Sequence, residues 1–232
     1  MKTLLQLLAH LASRDEDATD PDEAAYTHAL SAALTHLLPC VTPPMLLYPK
    51  LTAGYFGLLS SWLENRPLAA VSMPPPLYDS VFASLSFGLA HHDVAICRGA
   101  LETAFELGRR AAQHGASALP MDGLLRQLLG RVAADLLTSR LHPDVVDPAG
   151  GNALLALIVA QPAHWQALAA SLVGAQPTAE GREHAAALFG ALLSTNGVAA
   201  TLARPNRVRF RANLDGLLRG VTAANLVLPT GA

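Results

Sequence analysis

The residue types that could do chemistry in this chain fall into four groups. His91, His92, Asp93 and Cys97 are the metal candidate. A zinc site needs three or four ligands converging tetrahedrally. Side chains of adjacent histidines diverge, Cys97 belongs to an apolar face, and no second cluster completes the set, so a turn with Asp93 capping the next helix is the better reading. A catalytic Cys–His pair needs a thiolate held beside an imidazole. Only Cys40 and Cys97 are present, and nine histidines are scattered along the chain without a pairing that the spacing selects. No glycine-rich phosphate loop lies between a strand and a helix.

Two charged groups remain. Arg204, Arg207, Arg209 and Arg211 lie near the start of the last helix, where positive charge opposes the helix dipole. Local helix stability therefore does not explain them. They either meet an acidic partner surface or form a solvated face with their stems packed over apolar surface, and the solvated face is the simpler reading. The acidic loop holds Asp15, Glu16, Asp17, Asp20, Asp22 and Glu23. It reads as a solvated connector or as a contact for a basic partner, and the capping of the next helix accounts for part of it. These are possible partner-binding residues. The sequence offers no catalytic, cofactor or metal site.

The elements that position these groups read as helices throughout. Leu4, Leu7, Leu8 and Leu11 share one side of a short first helix. Asp20-Pro21-Asp22-Glu23 has the form of a helix start, with a capping Asp, a Pro at the first position and a Glu soon after. Tyr55, Leu58, Leu59 and Trp62 fall at i, i+3, i+4, i+7. Tyr78, Phe82, Leu85 and Leu89 form a second stripe, and Val94, Cys97, Leu101 and Phe105 a third. Leu125, Leu128, Leu129, Val132 and Leu136 follow, and the region 142–151 is a longer connection with room for one short turn. Two compact helices flank Pro162. A helix from about Thr178 to Ser194 carries Leu188, Leu192 and Leu193. After a loop over 196–206, the last helix displays Phe210, Leu214, Leu217, Leu218 and Val221.

No window alternates with period two for long enough to argue a sheet. Helix boundaries recur about every twenty residues and pairs at about forty, the period of HEAT repeats. The expected fold is all-α, a HEAT-repeat-like solenoid of stacked antiparallel helix pairs.

Composition agrees with a folded chain. The chain has 232 residues, of which 51% are hydrophobic and 15% charged, a balance of folded rather than disordered chains. Its net charge of -2 gives no general attraction to nucleic acid or to an anionic membrane. Mean hydropathy is +0.31, so a membrane span has to be weighed. The most apolar run is broken at Gln161, Pro162 and His164 before it reaches spanning length. The Met1 segment lacks a small-residue cleavage site and is followed by acids, so it is not read as a signal peptide. Two distant cysteines suit a reducing compartment.

Tyr48-Pro49 stands before a helix carrying Tyr55-Phe56 and Leu58-Leu59. A proline joint then leads to Leu77 and an aromatic, followed by Ser84-Leu85, Gly88-Leu89, Val94, Cys97 and Leu101-Glu102. This stretch resembles the C-terminal region of exportins, nuclear transport receptors of the karyopherin-β (importin-β-like) family built from HEAT repeats. The resemblance covers residues 43–228. It follows an N-terminal helix pair with the acidic loop over 1–42, which matches less well, and leaves 229–232 as a tail.

The resemblance implies nuclear export of protein cargo together with Ran-GTP, contacts with nuclear pore proteins, and shuttling between nucleus and cytoplasm. It implies no enzyme activity and no cofactor, nucleic acid or membrane insertion. In that family Ran is gripped chiefly by N-terminal repeats that this chain lacks. Two other readings stay open: a generic helical-repeat interaction scaffold without a transport role, and a small all-α ligand-binding protein or enzyme.

Overall fold

The structure is a computed structural model that describes residues 2–13, 22–65, 75–114 and 121–228. Among the described residues there are ten helices and no strand. They are α1 (Lys2–Ala12), α2 (Glu23–Leu37), α3 (Pro49–Asn65), α4 (Pro75–Leu89), α5 (Val94–His114), α6 (Asp122–Leu137), α7 (Gly151–Ala160), α8 (Pro162–Gly174), α9 (Ala179–Ser194) and α10 (Arg204–Ala223). The protein is all-α, as the periodicity predicts.

Prolines and caps set the boundaries. Pro49, Pro162 and Pro205 stand in the first turns of α3, α8 and α10, where the missing N–H has no partner to lose. Asp93 Oδ1 accepts from Ala95 N at 2.8 Å to start α5, and Thr178 Oγ1 accepts from Gly181 N at 3.0 Å to start α9. α7 and α8 meet at Gln161-Pro162, and the α7 segment that begins at Pro143 is bent by 111° from α8. Among the described residues no single helix is long and apolar enough to cross a membrane.

Helices pack mainly on those one or two steps away in the chain. α1 lies on α3, α3 on α5, and α5 on α7; α4 lies on α5 and α6, α8 on α9, and α9 on α10. The exception is α10, which reaches back to α7 and, more lightly, to α6. One continuous hydrophobic core runs through these contacts from Leu5 to Val221. Two glycines permit close crossings. A Cβ on Gly108 of α5 would lie 2.8 Å from the backbone carbonyl carbon of Ala156 in α7, and one on Gly88 of α4 would lie 2.7 Å from the Phe56 ring.

Several expectations shift in detail. In α1 the inward face is Leu5, Leu8 and Ala12, while Leu4 and Leu7 are 44% and 54% exposed. Leucines cover two adjacent faces of that helix, so its period cannot choose between them. The neighbour chooses, because Leu5 lies against Gly54 of α3. Of the expected α5 stripe Cys97 and Leu101 are buried, while Val94 and Phe105 are half-buried. Ile96, Ala100, Ala104, Leu107 and Ala111 are buried as well, since α3, α4 and α7 all pack on it. The expected loop over 196–206 is shorter, because Arg204 and Pro205 already belong to α10. In the connection over 142–151, a turn at Pro143–Val145 and a wide π-type turn at Val146–Gly150 lead straight into α7. α2 is described from Glu23, and Asp20 and Pro21 of its expected start lie outside the described residues.

Candidate functional site

The four arginines sit on the first two turns of α10, and the structure separates them. The Arg207 guanidinium carbon lies 5.5 Å from the centre of the Phe105 ring on α5, a cation–π contact. Arg209 Nη1 donates to the Gly197 carbonyl at 3.0 Å. Arg211 Nη1 donates to Asp147 Oδ1 at 2.5 Å, joining α10 to the turn before α7. Arg204 is exposed and makes no hydrogen bond among the described residues. Three of the four are thus tied to neighbouring elements of the same chain. The acidic group Asp15, Glu16, Asp17 and Asp20 lies outside the described residues.

Beside the arginines is a set of buried polar side chains that the sequence reading passed over. Asn206 accepts from Ala199 N at 2.8 Å and donates to the carbonyls of Ala199 and Thr201 at 2.7 and 2.6 Å. Asn213, two turns on, donates to Leu192 O at 3.0 Å and Thr195 O at 2.8 Å, and it accepts from Asn196 Nδ2 at 2.7 Å. Together they hold the α9–α10 connection against the helix. Gln176 does the same for the C-terminal segment. Its Nε2 donates to Val227 O at 2.9 Å, and its Oε1 accepts from Val227 N at 2.9 Å. Both asparagines fall in register with the apolar stripe, at i−4 and i+3 from Phe210. That position was the available signal: a polar residue at a core register must find buried partners.

The histidine turn differs from expectation. His91 and His92 stack, with ring centres 4.4 Å apart, rather than diverging. His91 Nδ1 accepts from Asp93 N at 3.0 Å, so that nitrogen is occupied by the turn. Burial lowers the His91 pKa, the His92 charge lowers it further, and Asp93 opposes both. Among the described residues no group of three or more His, Cys, Asp or Glu side chains is placed to hold a metal ion.

Cys97 is fully buried, and its Sγ lies 3.5 Å from the Leu89 carbonyl rather than beside an imidazole. Burial pushes its thiol up to about 11; the charge of Asp135 adds to this, and a backbone hydrogen bond from His142 opposes it. Asp135 itself is 2% exposed and accepts from Arg131 Nε at 2.6 Å. Tyr55 donates to Ser84 Oγ at 3.1 Å. Burial raises its phenol to about 12 against the smaller lowering effect of Ser84. Tyr55 and Cys97 therefore stay protonated near neutral pH.

Two open grooves border α10. One, of about 350 Å³, lies between Val146 and Asp147 and the outer face carrying Val208, Arg211, Leu214 and Leu218. The other, of about 440 Å³, lies between the start of α9 and the end of α10. No protein-family model matches the chain.

Proposed function

We propose that the chain is a binding protein: a HEAT-repeat-like solenoid forming the C-terminal segment of an exportin-4-like nuclear export receptor. The observation that carries this reading is the order of packing, in which α1, α3, α5 and α7 follow one another while α4 and α6 pack alongside. Alternation of two packed rows is how stacked helix pairs bury faces that no single pair can cover. Exposed Leu4 and Leu7 on the side of α1 away from its buried face fit an edge layer on which a further layer can stack.

Most residues behind the resemblance face the core, whereas Tyr48 is 69% exposed and Glu102 is exposed. Tyr55, Phe56, Leu58, Leu59, Leu77, Leu85, Leu89, Cys97 and Leu101 are all buried. In this reading the full receptor holds protein cargo and Ran-GTP together, passes the nuclear pore by contacts with pore proteins, and shuttles between nucleus and cytoplasm. It performs no chemistry itself. Partner contacts accumulate layer by layer along such an array, so a short C-terminal piece adds to binding without sufficing for it.

The test is calorimetric titration of Ran, loaded with a non-hydrolysable GTP analogue, into this chain alone and into the chain extended by its upstream repeats. The expected result is no binding at micromolar concentration by the chain alone and nucleotide-dependent binding, strengthened by cargo, by the extended chain. Tight binding by the short chain would overturn its placement. Absence of binding by both would overturn the transport role and leave a helical scaffold.

A further inference from the structure

One buried amide holds a stretch of backbone rather than a side chain. Gln176, in the connection between α8 and α9, is 3% exposed. Its Nε2 donates to Val227 O and its Oε1 accepts from Val227 N, both at 2.9 Å. A third bond, from Nε2 to Leu172 O at 2.8 Å, fixes the amide on the end of α8. Arg182 Nη1 donates to the Gln176 carbonyl at 2.9 Å and holds its backbone. Meeting both the N–H and the C=O of one residue is the pairing of an antiparallel ladder, made here by a side chain. Such a pairing places no demand on the side chain of the residue it holds, and Val227 stands 49% exposed.

The flanking leucines carry the apolar contacts. Leu226 and Leu228 are half-buried against the core while Val227 is exposed, the alternation of extended chain. Leu228 borders a small apolar hollow between α6 and α8, lined also by Gly130, Ala133, Leu137, Leu168 and Leu172. Main-chain bonds with a pocket for a neighbouring side chain are how an extended peptide is recognised. The segment 226–228 is seated as a bound peptide would be.

It fits that seat imperfectly. About 30 Å³ of the hollow is unfilled beside Leu228, and a Cβ on Gly130 would meet no neighbouring atom within 4 Å. The lining forfeits the contacts that a closer fit would give. Nor does α10 need the segment in order to end. Asn225, at φ 48°, closes the helix by local bonds, Asn225 N to Thr222 O and Leu226 N to Val221 O, the Schellman pattern. Chain beyond the Leu226 amide can leave with the helix end intact.

We infer that this seat receives an extended segment of a partner protein. Its backbone pairs with Gln176, and its next residue puts a bulkier apolar side chain, such as phenylalanine, in the hollow where Leu228 sits. Residues 226–228 are the resident occupant and compete with it. The inference rests on the protein-binding reading above but not on Ran, whose titration can fail while this seat binds.

The probes are fluorescein-labelled peptides with the sequence of residues 224–228, blocked at both ends. One keeps that sequence, a second carries Leu228→Phe, and a third is the second with the nitrogen of the Val227 position methylated. Methylation removes the N–H that Gln176 accepts. Fluorescence anisotropy with the full chain reads affinity, and hydrogen exchange of the Val227 amide reads release of the resident segment. Saturable binding of the phenylalanine peptide is expected, about tenfold tighter than the leucine peptide and with faster exchange at Val227. The methylated peptide should not bind. In the full-length variant Leu228→Ser the resident segment is loosened, so both unmethylated peptides should bind about tenfold tighter than to the parent. Gly130→Leu fills the hollow at a helix position where leucine is the better helix former, and it should abolish the preference for phenylalanine. The inference is overturned by absence of binding to both the parent and Leu228→Ser chains, by equal binding of the methylated peptide, or by a phenylalanine preference that is absent from the parent or survives Gly130→Leu. A dimer of the parent that the leucine peptide dissociates would give the seat to segment 226–228 of a second copy, and would overturn it too.

Discussion

Ionising Cys97 requires a charge in the core beside Asp135, which is why its thiol stays protonated to about 11. Cys40 is exposed. Iodoacetamide at pH 8 should therefore alkylate Cys40 and leave Cys97 unmodified until the protein unfolds, as peptide mass spectrometry can read. The linkage sign follows. Folding raises the Cys97 pKa above its ordinary value of 9.0, so the folded state holds its proton where the unfolded state releases it. This contribution is full below pH 9 and is lost as pH rises toward 11. Aliphatic positions give larger effects. Leu85 and Leu129 are fully buried, and Leu85→Ala or Leu129→Ala should each cost about 2–5 kcal/mol in urea unfolding. Exposed His92 only stacks on His91, and His92→Ala should change stability by no more than about 0.5 kcal/mol. The burial of Cys97 and of these leucines was legible in the sequence because each sits on a clear stripe. The stacking of His91 on His92 was not, because turn geometry rather than residue type sets the angle between adjacent rings.

Helices announced themselves through period, and partners decided what period left open. Of the expected stripe, Phe210, Leu214, Leu217 and Val221 are buried and Leu218 is half-buried. α1 shows the opposite case, where a nearly all-apolar helix has no unique face until α3 is placed against it. α5 shows a third, since alanines and Gly108 carry little hydrophobic signal yet allow a close approach to α7. Asn206 and Asn213 were illegible for another reason: their value lies in backbone carbonyls and amides that only the folded α9–α10 connection brings within reach. Asn213→Ala strands the carbonyls of Leu192 and Thr195. It should cost about 1–3 kcal/mol, with faster amide exchange over the 195–203 connection ahead of α10. Asn213→Asp keeps the acceptor for Asn196 but loses the donor, and it should be at least as harmful. An unchanged unfolding midpoint in Asn213→Ala would remove this connection from the account.

At the scale of the whole chain, helical content follows from local pattern, whereas stacking order depends on which faces meet and is not written in any one segment. The four arginines illustrate the gap. Their clustering in sequence suggested one surface, but the helical turn sends Arg207 to Phe105, Arg209 to Gly197 and Arg211 to Asp147. The proposed solenoid requires that the helices act as a layered array in which each layer is supported by its neighbours. α1 packs chiefly on α3, while α9 and α10 lie at the far end of the packing order. Hydrogen exchange of Leu5→Ala, followed by mass spectrometry under conditions where the chain stays folded, tests this directly. The layered array predicts faster exchange in α1 and the adjoining part of α3, with α9 and α10 unchanged from the parent. Parallel acceleration in α1, α9 and α10 would show one closed cooperative bundle and contradict it.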